Sequence, residues 1–291
     1  MNIGIHGKVF DSDNRAFIKH VLDTLSSWGA KIFISSAYCG ILQKHDLMND
    51  SFIYFEKEDD LGHLKLLMTL GGDGTLLEAV AQIGNSNVPI LGINTGRLGF
   101  LATTAKDDIE SALDCIKRDS YTYDERALLH LDSDPNVFGS IPFALNDFTI
   151  LKKDSSSMIV VNTYINGEFL NSYWADGIIV ATPTGSTGYS ISCGGPLVLP
   201  QSNNFIITPV SPHNLTVRPM VVSDSIELTF TIEGRSKTFL ISLDSRFETV
   251  DESIKLAVRN EDFKVRLIKL SDSNYFKTLR QKLNWGLDAR N

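Results

Sequence analysis

The apolar pattern of this 291-residue chain changes near residue 120, and the change restricts the folds that the chain can adopt. Before that point, apolar stretches that suit strands alternate with helical spacing, as in Phe17, Val21, Leu25 and Trp28, which Gly29 ends. The predicted strands are residues 3–5, 31–35, 52–55, 64–70 and 88–93. Alternation of this kind predicts an α/β domain with a mostly parallel sheet and helices on both faces.

From about residue 121, short apolar stretches follow one another with turn residues between them. Residues 225–233 alternate strictly between polar and apolar side chains, which suits a half-buried antiparallel strand. The predicted strands are residues 128–131, 144–151, 158–165, 177–181, 205–208, 226–232, 239–243, 254–258 and 263–270. We therefore expect two domains, an α/β domain over residues 1–121 and an all-β, layered, sandwich-like domain over residues 122–270.

The charge balance and the cysteines exclude several classes of protein. Lys and Arg number 27 against 35 Asp and Glu, a net charge of −8, so the chain is a poor general binder of nucleic acid or of anionic membranes. Cys39, Cys115 and Cys193 lie too far apart for a disulfide framework or a CxxC zinc pattern. We find no signal peptide and no run of 18 apolar residues, and expect a cytoplasmic protein.

A glycine-rich turn, Gly71-Gly72-Asp73-Gly74-Thr75, follows the apolar stretch at residues 64–70. Glycines let backbone N–H groups approach a ligand closely, and the N-terminus of the next helix favours phosphate. A carboxylate in such a place needs a metal ion or a hydroxyl donor beside it, so Asp73 points to phosphoryl transfer to an alcohol. The alternative is a simple turn in which Asp73 caps the helix.

A second polar turn follows the predicted strand at residues 177–181, where residues 182–190 are mostly Ser, Thr and Gly. Hydroxyls and free backbone amides are neutral hydrogen-bonding groups that suit the base, amide or sugar of a ligand. The alternative is a surface loop without a ligand, but its strongly apolar flanks favour a binding role. Neither GxxxxGK[ST] nor GxGxxG, the common phosphate-binding patterns, is present.

Four segments together resemble the bacterial NAD kinase family. They are the GGDGT turn, residues 92–101, the stretch DGIIVATPTGSTGYSISCGGP at residues 176–196, and PHNLTVRP at residues 212–219. The resemblance covers most of the chain and keeps the family's order and spacing. The GGDGT turn alone is shared with diacylglycerol kinases, whereas the threonine-rich stretch with the PHxLxxRP segment is far more specific.

The resemblance implies an activity and a set of partners. Members of the family transfer the terminal phosphate of ATP, or in some members polyphosphate, to the 2′-hydroxyl of the adenosine ribose of NAD. They need a divalent cation, Mg²⁺ or Mn²⁺, which we expect to be held mainly by the ATP phosphates. They are typically homodimers or homotetramers, and their C-terminal tail, here residues 271–291, packs back on the N-terminal domain.

The resemblance also implies roles for individual residues. Asp73 matches the catalytic aspartate, which faces the 2′-hydroxyl, and Gly71, Gly72, Gly74 and Thr75 match the phosphate cradle. Asn146 and Asp147 match a pair that binds ribose hydroxyls, and without the family an ordinary turn is the preferred interpretation of that pair. The other positions implied in NAD binding are Gly74, Phe100, Trp174, Asp176, Thr187, Gly188, Tyr189, Ser190, Ile191 and Ser192.

Three residues depart from the family pattern. Gly188 stands where alanine is usual, Trp174 where a basic or polar residue is frequent, and Arg246 where glutamine often ends an Asp-Gly-Gln segment. The extra charge of Arg246 suggests contact with a phosphate or a neighbouring subunit. Two other function classes stay open at this point: a lipid kinase, which shares the GGDGT turn, and a non-catalytic NAD sensor, which has no need of Asp73.

Overall fold

A computed structural model describes residues 1–56, 61–153, 158–270 and 274–285. The chain forms two compact units: unit 1 contains Met1–Glu125 and Val265–Asn291, and unit 2 contains Arg126–Lys264. Both boundaries lie a few residues from the predicted ones, because two long strands, Thr122–Asp134 and Lys255–Lys269, each run from one unit into the other.

Unit 1 alternates strands and helices, as the sequence predicts. Its strands are β1 (Asn2–Gly7), β2 (Lys31–Ser35), β3 (Ile53–Phe55), β4 (Leu66–Leu70), β5 (Ile90–Asn94) and β6 (Thr104–Ala105). Its helices are α1 (Ser12–Ser27), α2 (Ser36–Lys44), α3 (Asp73–Ile83), α4 (Ile109–Lys117) and, from the tail of the chain, α6 (Tyr275–Leu283). The short helix α5 (Tyr189–Ser192) belongs to unit 2. Helices α2 and α4 are additions to the sequence-based prediction.

The sheet of unit 1 has the order β3-β2-β1-β4-β5, and neighbouring strands run parallel. Strand β6 pairs with the end of β5, and Leu267 pairs with Ile90 beside it. One face of the sheet buries Ile3, Ile5 and Met68 in an apolar core against the helices. The predicted α/β class with a mostly parallel sheet is confirmed.

Local signals explain where the first helix begins and ends. Asp11 is the N-cap of α1, and its side chain accepts a hydrogen bond from the backbone N–H of Asn14. Gly29, with a φ of 69°, takes the left-handed conformation that ends the helix just after Trp28. Both residues stand where the helical spacing begins and stops in the sequence.

Unit 2 contains two sheets that share one apolar core. The remaining strands are β7 (Thr122–Asp134), β8 (Phe143–Ala144), β9 (Asp147–Lys152), β10 (Ile159–Ile165), β11 (Glu168–Ala175), β12 (Gly177–Ala181), β13 (Asn204–Val210), β14 (Met220–Ser223), β15 (Leu228–Gly234), β16 (Thr238–Leu243), β17 (Arg246–Asp251) and β18 (Lys255–Lys269). Strands β11-β10-β15-β18, with β7 and β8, form one sheet, and β14-β13-β12-β9-β16-β17 form the other. Phe148, Phe205 and Phe239 lie fully buried between them. The layered all-β prediction is confirmed.

Three details of the second unit differ from the sequence-based expectation. The predicted strand 144–151 is broken between β8 and β9 at Leu145 and Asn146. The predicted strands 254–258 and 263–270 are one continuous strand, β18. Strands β11, β14 and β17 were not predicted. Much of their surface is exposed, and their sequences lack a strong apolar alternation.

Helix α6 belongs to unit 1; residues 271–273 and 286–291 of the predicted tail, 271–291, lie outside the described residues. No helix in the described part of the chain is long and apolar enough to cross a bilayer.

Candidate active site

The GGDGT turn connects β4 to α3 at the carboxyl edge of the parallel sheet. Gly72 is the N-cap, and its carbonyl accepts hydrogen bonds from the backbone N–H groups of Thr75 and Leu76. A Cβ on Gly71 would lie only 2.2 Å from Thr75 Oγ1, so the buried Thr75 side chain packs directly on this glycine. The N–H groups of residues 72–74 have no acceptor among the described residues. They form the kind of cradle that binds phosphate.

Asp73 is held by the loop that follows β5 and does not cap α3. Its Oδ1 accepts hydrogen bonds from the N–H groups of Leu101 and Ala102 at 3.0 and 2.9 Å, and its Oδ2 accepts one from Phe100 at 2.8 Å. It is the first residue of the helix, whose N-cap makes no side-chain capping bond. The helix-capping interpretation of Asp73 is therefore wrong.

The three hydrogen bonds leave one acceptor position of the Asp73 carboxylate for a ligand. A carboxylate has about four acceptor positions, and Oδ2 has one still available. Gly99 makes this arrangement possible, because a Cβ there would lie 1.9 Å from Asp73 Oδ1. The need for glycine at residue 99 was not predicted, since the contact joins segments that are far apart in the sequence.

Asn146 and Asp147 lie at the break between β8 and β9 in unit 2. The carboxylate of Asp244 accepts hydrogen bonds from the backbone N–H groups of Leu145, Asn146 and Asp147, at 2.9, 2.7 and 3.2 Å. The sequence did not predict this break, and a distant side chain accepts the hydrogen bonds of its backbone N–H groups. Because Asp244 is about a hundred residues away along the chain, no local signal could have revealed its role.

The Asp147 side chain is buried and close to a second carboxylate. Burial, together with the charge of Asp244, raises the pKa of Asp147 to about 7. Burial also raises the pKa of Asp244, although its three backbone hydrogen bonds and Arg246 oppose that shift. Asp147 can therefore donate a hydrogen bond to a ligand when protonated and accept one when ionised, with the change near neutral pH.

The threonine-rich loop packs against this pair. The N–H of Thr182 donates to the carbonyl of Asn146 at 2.8 Å, and a Cβ on Gly185 would lie 2.0 Å from the same oxygen. Near the loop's end, a Cβ on Gly188 would lie 3.5 Å from Asp147 Oδ2 and 3.7 Å from Asn146 Nδ2. The structure thus brings together Asn146, Asp147 and Gly188, three of the residues that the sequence marks for NAD.

The remaining predicted residues of unit 2 have varied surroundings. Asp176 forms an ion pair with Lys152 at 2.6 Å, and the Thr187 hydroxyl donates to the carbonyl of Thr184. Ser190 is fully buried and bonds Thr208 at 2.8 Å. Half-exposed or exposed positions on the loop are Tyr189, Ile191 and Ser192.

Two of the unusual residues have clear structural surroundings. Trp174 is half-exposed and lines a cavity of about 640 Å³ with His213, whose N–H donates to the Trp174 carbonyl at 2.8 Å. The Arg246 guanidinium donates to the carbonyls of Ile141 and Phe143. Arg246 therefore stabilises unit 2 internally, and the suggested contact with a phosphate or a neighbouring subunit is not needed to explain it.

Phe100 belongs to the loop that holds Asp73 in unit 1. Its ring is half-buried and lies 5.7 Å from the Lys282 ammonium of helix α6, a cation–π distance. The tail helix therefore supports the loop that positions Asp73. Contact of Phe100 with adenine stays a prediction.

The pKa of Asp147 leads to an expected pH dependence of stability. In the unfolded chain this carboxyl titrates near 3.8, and in the folded protein near 7. The stability that it contributes is full below pH 3.8 and is lost as the pH rises towards about 7, because the unfolded chain ionises in that range while the folded protein still holds the carboxyl in its neutral form. We expect the melting temperature of the natural chain to fall relative to Asp147→Asn between about pH 4 and 7 and to change no further above that range. A constant difference between the two melting temperatures would contradict this.

Comparison with known proteins places these features in a family. Residues 42–121 match the ATP-NAD kinase N-terminal domain, and residues 145–270 match the ATP-NAD kinase C-terminal domain. The NAD kinase of Cytophaga hutchinsonii is 54% identical over 292 residues, covering all of both chains. The chain belongs to the ATP-NAD kinase family. The family resemblance drawn from the four motifs is confirmed.

Two solved structures of ATP-NAD kinase relatives share the fold. Yeast NADH kinase, complexed with NADH, matches with a TM-score of 0.88 and 24% identity over 99% of this chain and 88% of that chain. An NAD kinase from Archaeoglobus fulgidus, in complex with ATP, matches with a TM-score of 0.74 and 23% identity over 98% of this chain and 99% of that chain. Both support the two-domain architecture described above.

Proposed function

We propose that this chain is an NAD kinase that transfers the terminal phosphate of ATP to the 2′-hydroxyl of the adenosine ribose of NAD. The observation that carries the proposal is the GGDGT turn, where free backbone N–H groups stand beside a fixed carboxylate with one acceptor position left. The full-length likeness to a named NAD kinase supports the choice of substrates. The solved relatives, one with NADH and one with ATP, support both nucleotides.

In unit 1, the proposal assigns the donor phosphates to the N–H groups of residues 72–74 and the acceptor hydroxyl to Asp73. A carboxylate is a weak base towards an alcohol. That is sufficient if the transition state is loose and the hydroxyl proton leaves late, because the main task is then to orient the oxygen. Three N–H donors fix the Asp73 carboxylate and make it a precise orienting group.

In unit 2, the proposal assigns NAD to the pair Asn146 and Asp147 and to the threonine-rich loop beside them. Hydroxyl groups of a ribose both donate and accept, and an amide with a carboxyl that changes state near pH 7 offers both kinds of partner. Trp174, Asp176, Tyr189, Ile191 and Ser192 stay predicted contacts of the same ligand. The buried Ser190 contributes through its backbone or by shaping the loop.

Substitution of the ribose pair tests the NAD site. We expect Asn146→Ala and Asp147→Ala to weaken NAD binding by about 1–3 kcal/mol each, because each removes hydrogen bonds made before and during transfer. Apparent affinity for NAD, measured at saturating ATP, reports the loss. Asn162→Ala is the control, since Asn162 bonds Thr231 and Glu233 on another strand of the same unit. Unchanged NAD affinity in both site variants would make the pair structural.

A divalent cation is part of the proposal. ATP and NAD bring several negative charges to a chain of net charge −8. Among the described residues no group of three or more His, Cys, Asp or Glu side chains is arranged to hold a metal, so the fitting arrangement is Mg²⁺ or Mn²⁺ bound by ATP phosphates and water. When bound there, the cation neutralises charge that develops on the phosphates.

Removal of the cation tests this directly. We expect activity to vanish in excess chelator and to return when Mg²⁺ or Mn²⁺ is added back, because a divalent cation neutralises more of the phosphate charge than a single side chain does. The assay follows NADP formation with a coupled dehydrogenase after the chelator has been titrated. Full activity in excess chelator would contradict the proposal.

We further propose a homodimer or homotetramer in the cytoplasm. Strands β14 and β17 are the edges of their sheet and expose Met220, Val221 and Phe247, the kind of apolar edge that natural proteins cover. Light scattering on the purified chain distinguishes a monomer, a dimer and a tetramer.

One experiment separates this function from the alternatives. The purified chain is incubated with ATP, Mg²⁺ and either NAD or diacylglycerol. We expect NADP and no phosphatidic acid. Phosphatidic acid without NADP would favour a lipid kinase, and neither product, with NAD bound, would favour a sensor.

A further inference from the structure

A row of small and polar residues crosses the sheet of unit 1 just before its carboxyl edge. His6, Thr69 and Gly92 are register partners on β1, β4 and β5, so they share one face of the sheet. Ser35 joins them on β2, because it directly follows Ile34, the partner of Ile5. Three of the four are polar and buried. Burying polar side chains costs free energy unless they make hydrogen bonds. The partners of these residues therefore indicate what the row does.

His6 connects this row to helix α3. Its Nδ1 lies 2.8 Å from Ser35 Oγ, and its Nε2 lies 3.5 Å from Glu78 Oε2. Burial lowers the pKa of His6 below its usual value, outweighing the charge of Glu78, which raises it. We therefore assign a neutral ring in which the Ser35 hydroxyl donates to Nδ1, while Nε2 lies near the Glu78 carboxylate without a hydrogen bond to any described residue.

Glu78 in turn holds a lysine at the phosphate cradle. Lys8 follows β1 directly, and its Nζ lies 2.7 Å from Glu78 Oε1. The same Nζ lies 3.7 Å from the position that a Cβ on Gly74 would take. The ammonium group therefore stands beside the turn whose N–H groups at residues 72–74 have no acceptor in the described part of the chain.

We propose that Lys8 binds a phosphate of the donor nucleotide, and that Glu78 is a positioning residue that holds its ammonium group at the GGDGT turn. The inference rests on the proposed kinase function. Lys8 supplies, from the end of a neighbouring strand, the positive charge that a GxxxxGK[ST] loop carries within the loop itself. Because Lys8 and Glu78 are both partly exposed, their ion pair is weak enough for a phosphate to share the ammonium.

The test compares the donor with the acceptor. We expect Lys8→Ala to raise the KM for ATP, and the Kd for a non-hydrolysable ATP analogue, by about tenfold to a hundredfold, the usual effect of losing one charged hydrogen bond. The KM for NAD and the binding of adenosine, which has no phosphate, stay within about twofold. Lys8→Arg restores most of the affinity. Lys19→Ala, which breaks an exposed pair with Asp23 in the same unit, is the matched control.

A double-mutant cycle tests the positioning role of Glu78. We expect Glu78→Gln to weaken the ATP analogue less than Lys8→Ala does, and the double variant to bind it no worse than Lys8→Ala alone, because Glu78 acts through the lysine. Additive losses would show that Glu78 acts independently of Lys8 and overturn its positioning role.

Other outcomes separate this inference from the proposed function. Unchanged analogue binding in Lys8→Ala, or an equal loss for adenosine, overturns the role of Lys8 while leaving NAD phosphorylation by the natural chain intact. Failure of the natural chain to make NADP would instead overturn the function, and the analogue-binding series would still report on Lys8. Lys8→Gln replaces Lys8→Ala if the alanine variant does not fold.

Discussion

Asp73→Asn is expected to lower turnover roughly 10²–10⁴-fold at saturating ATP, Mg²⁺ and NAD, the usual range for a positioned general base. The substitution keeps the shape of the side chain and removes its charge. NAD affinity should change much less, because the interaction with the hydroxyl grows mainly in the transition state. Normal turnover in a folded variant would remove Asp73 from the mechanism.

The same substitution is expected to cost stability. The carboxylate accepts three backbone N–H groups, and an amide in its place points NH₂ at one of them and leaves that donor unsatisfied. The expected loss is about 1–3 kcal/mol, visible in a melting curve. Asp11→Asn is the matched control, because Asp11 caps α1 and asparagine caps a helix equally well. Equal melting curves for Asp73→Asn and the natural chain would contradict the described hydrogen bonds.

Gly99→Ala is expected to reduce turnover on the order of 10²-fold while leaving the charge of Asp73 in place. The new Cβ would lie 1.9 Å from Asp73 Oδ1, so the carboxylate or the loop must move. A displacement near 1 Å at a reacting group is enough for a loss of that size. Turnover and the melting temperature measure the two consequences.

Gly96→Ala provides the control in the same loop. A Cβ on Gly96 has no heavy atom within 4 Å, so this substitution should leave turnover and stability close to those of the natural chain. If Gly99→Ala keeps normal turnover, as Gly96→Ala should, the position of the Asp73 carboxylate does not matter for the reaction. If only Gly99→Ala is impaired, the position of the carboxylate matters independently of its charge.

Much of the fold was predictable because its signals are local. Strands β2 and β12 have the predicted bounds, since each is a short apolar run with clear limits. The helix signals of Asp11 and Gly29 also lie within a few residues of what they control. Helices α2 and α4 were not predicted, although the buried residues of α4, Ile109, Ala112, Leu113 and Ile116, follow helical spacing that is already visible in the sequence.

The residues of the candidate site could be predicted from the sequence, but the residues that hold them in position could not. Asp73 and the pair Asn146 and Asp147 carry recognisable motifs, whereas Gly99 and Asp244 act through contacts with distant parts of the chain. Lys8 was within reach of the sequence, because the carboxyl ends of parallel strands meet at one edge and Lys8 directly follows the first strand.

The division of unit 1 into two segments has a consequence for synthesis on the ribosome. Leu267 pairs with Ile90 of β5, yet all of Arg126–Lys264 is made between them. At about 5–20 residues per second, the first segment waits on the order of ten seconds for its partner. During that time part of one edge of β5 has backbone groups without a neighbour, and unpaired strand edges recruit other chains. A nascent chain of this sequence is therefore open to mispairing at β5 until translation has passed Leu267.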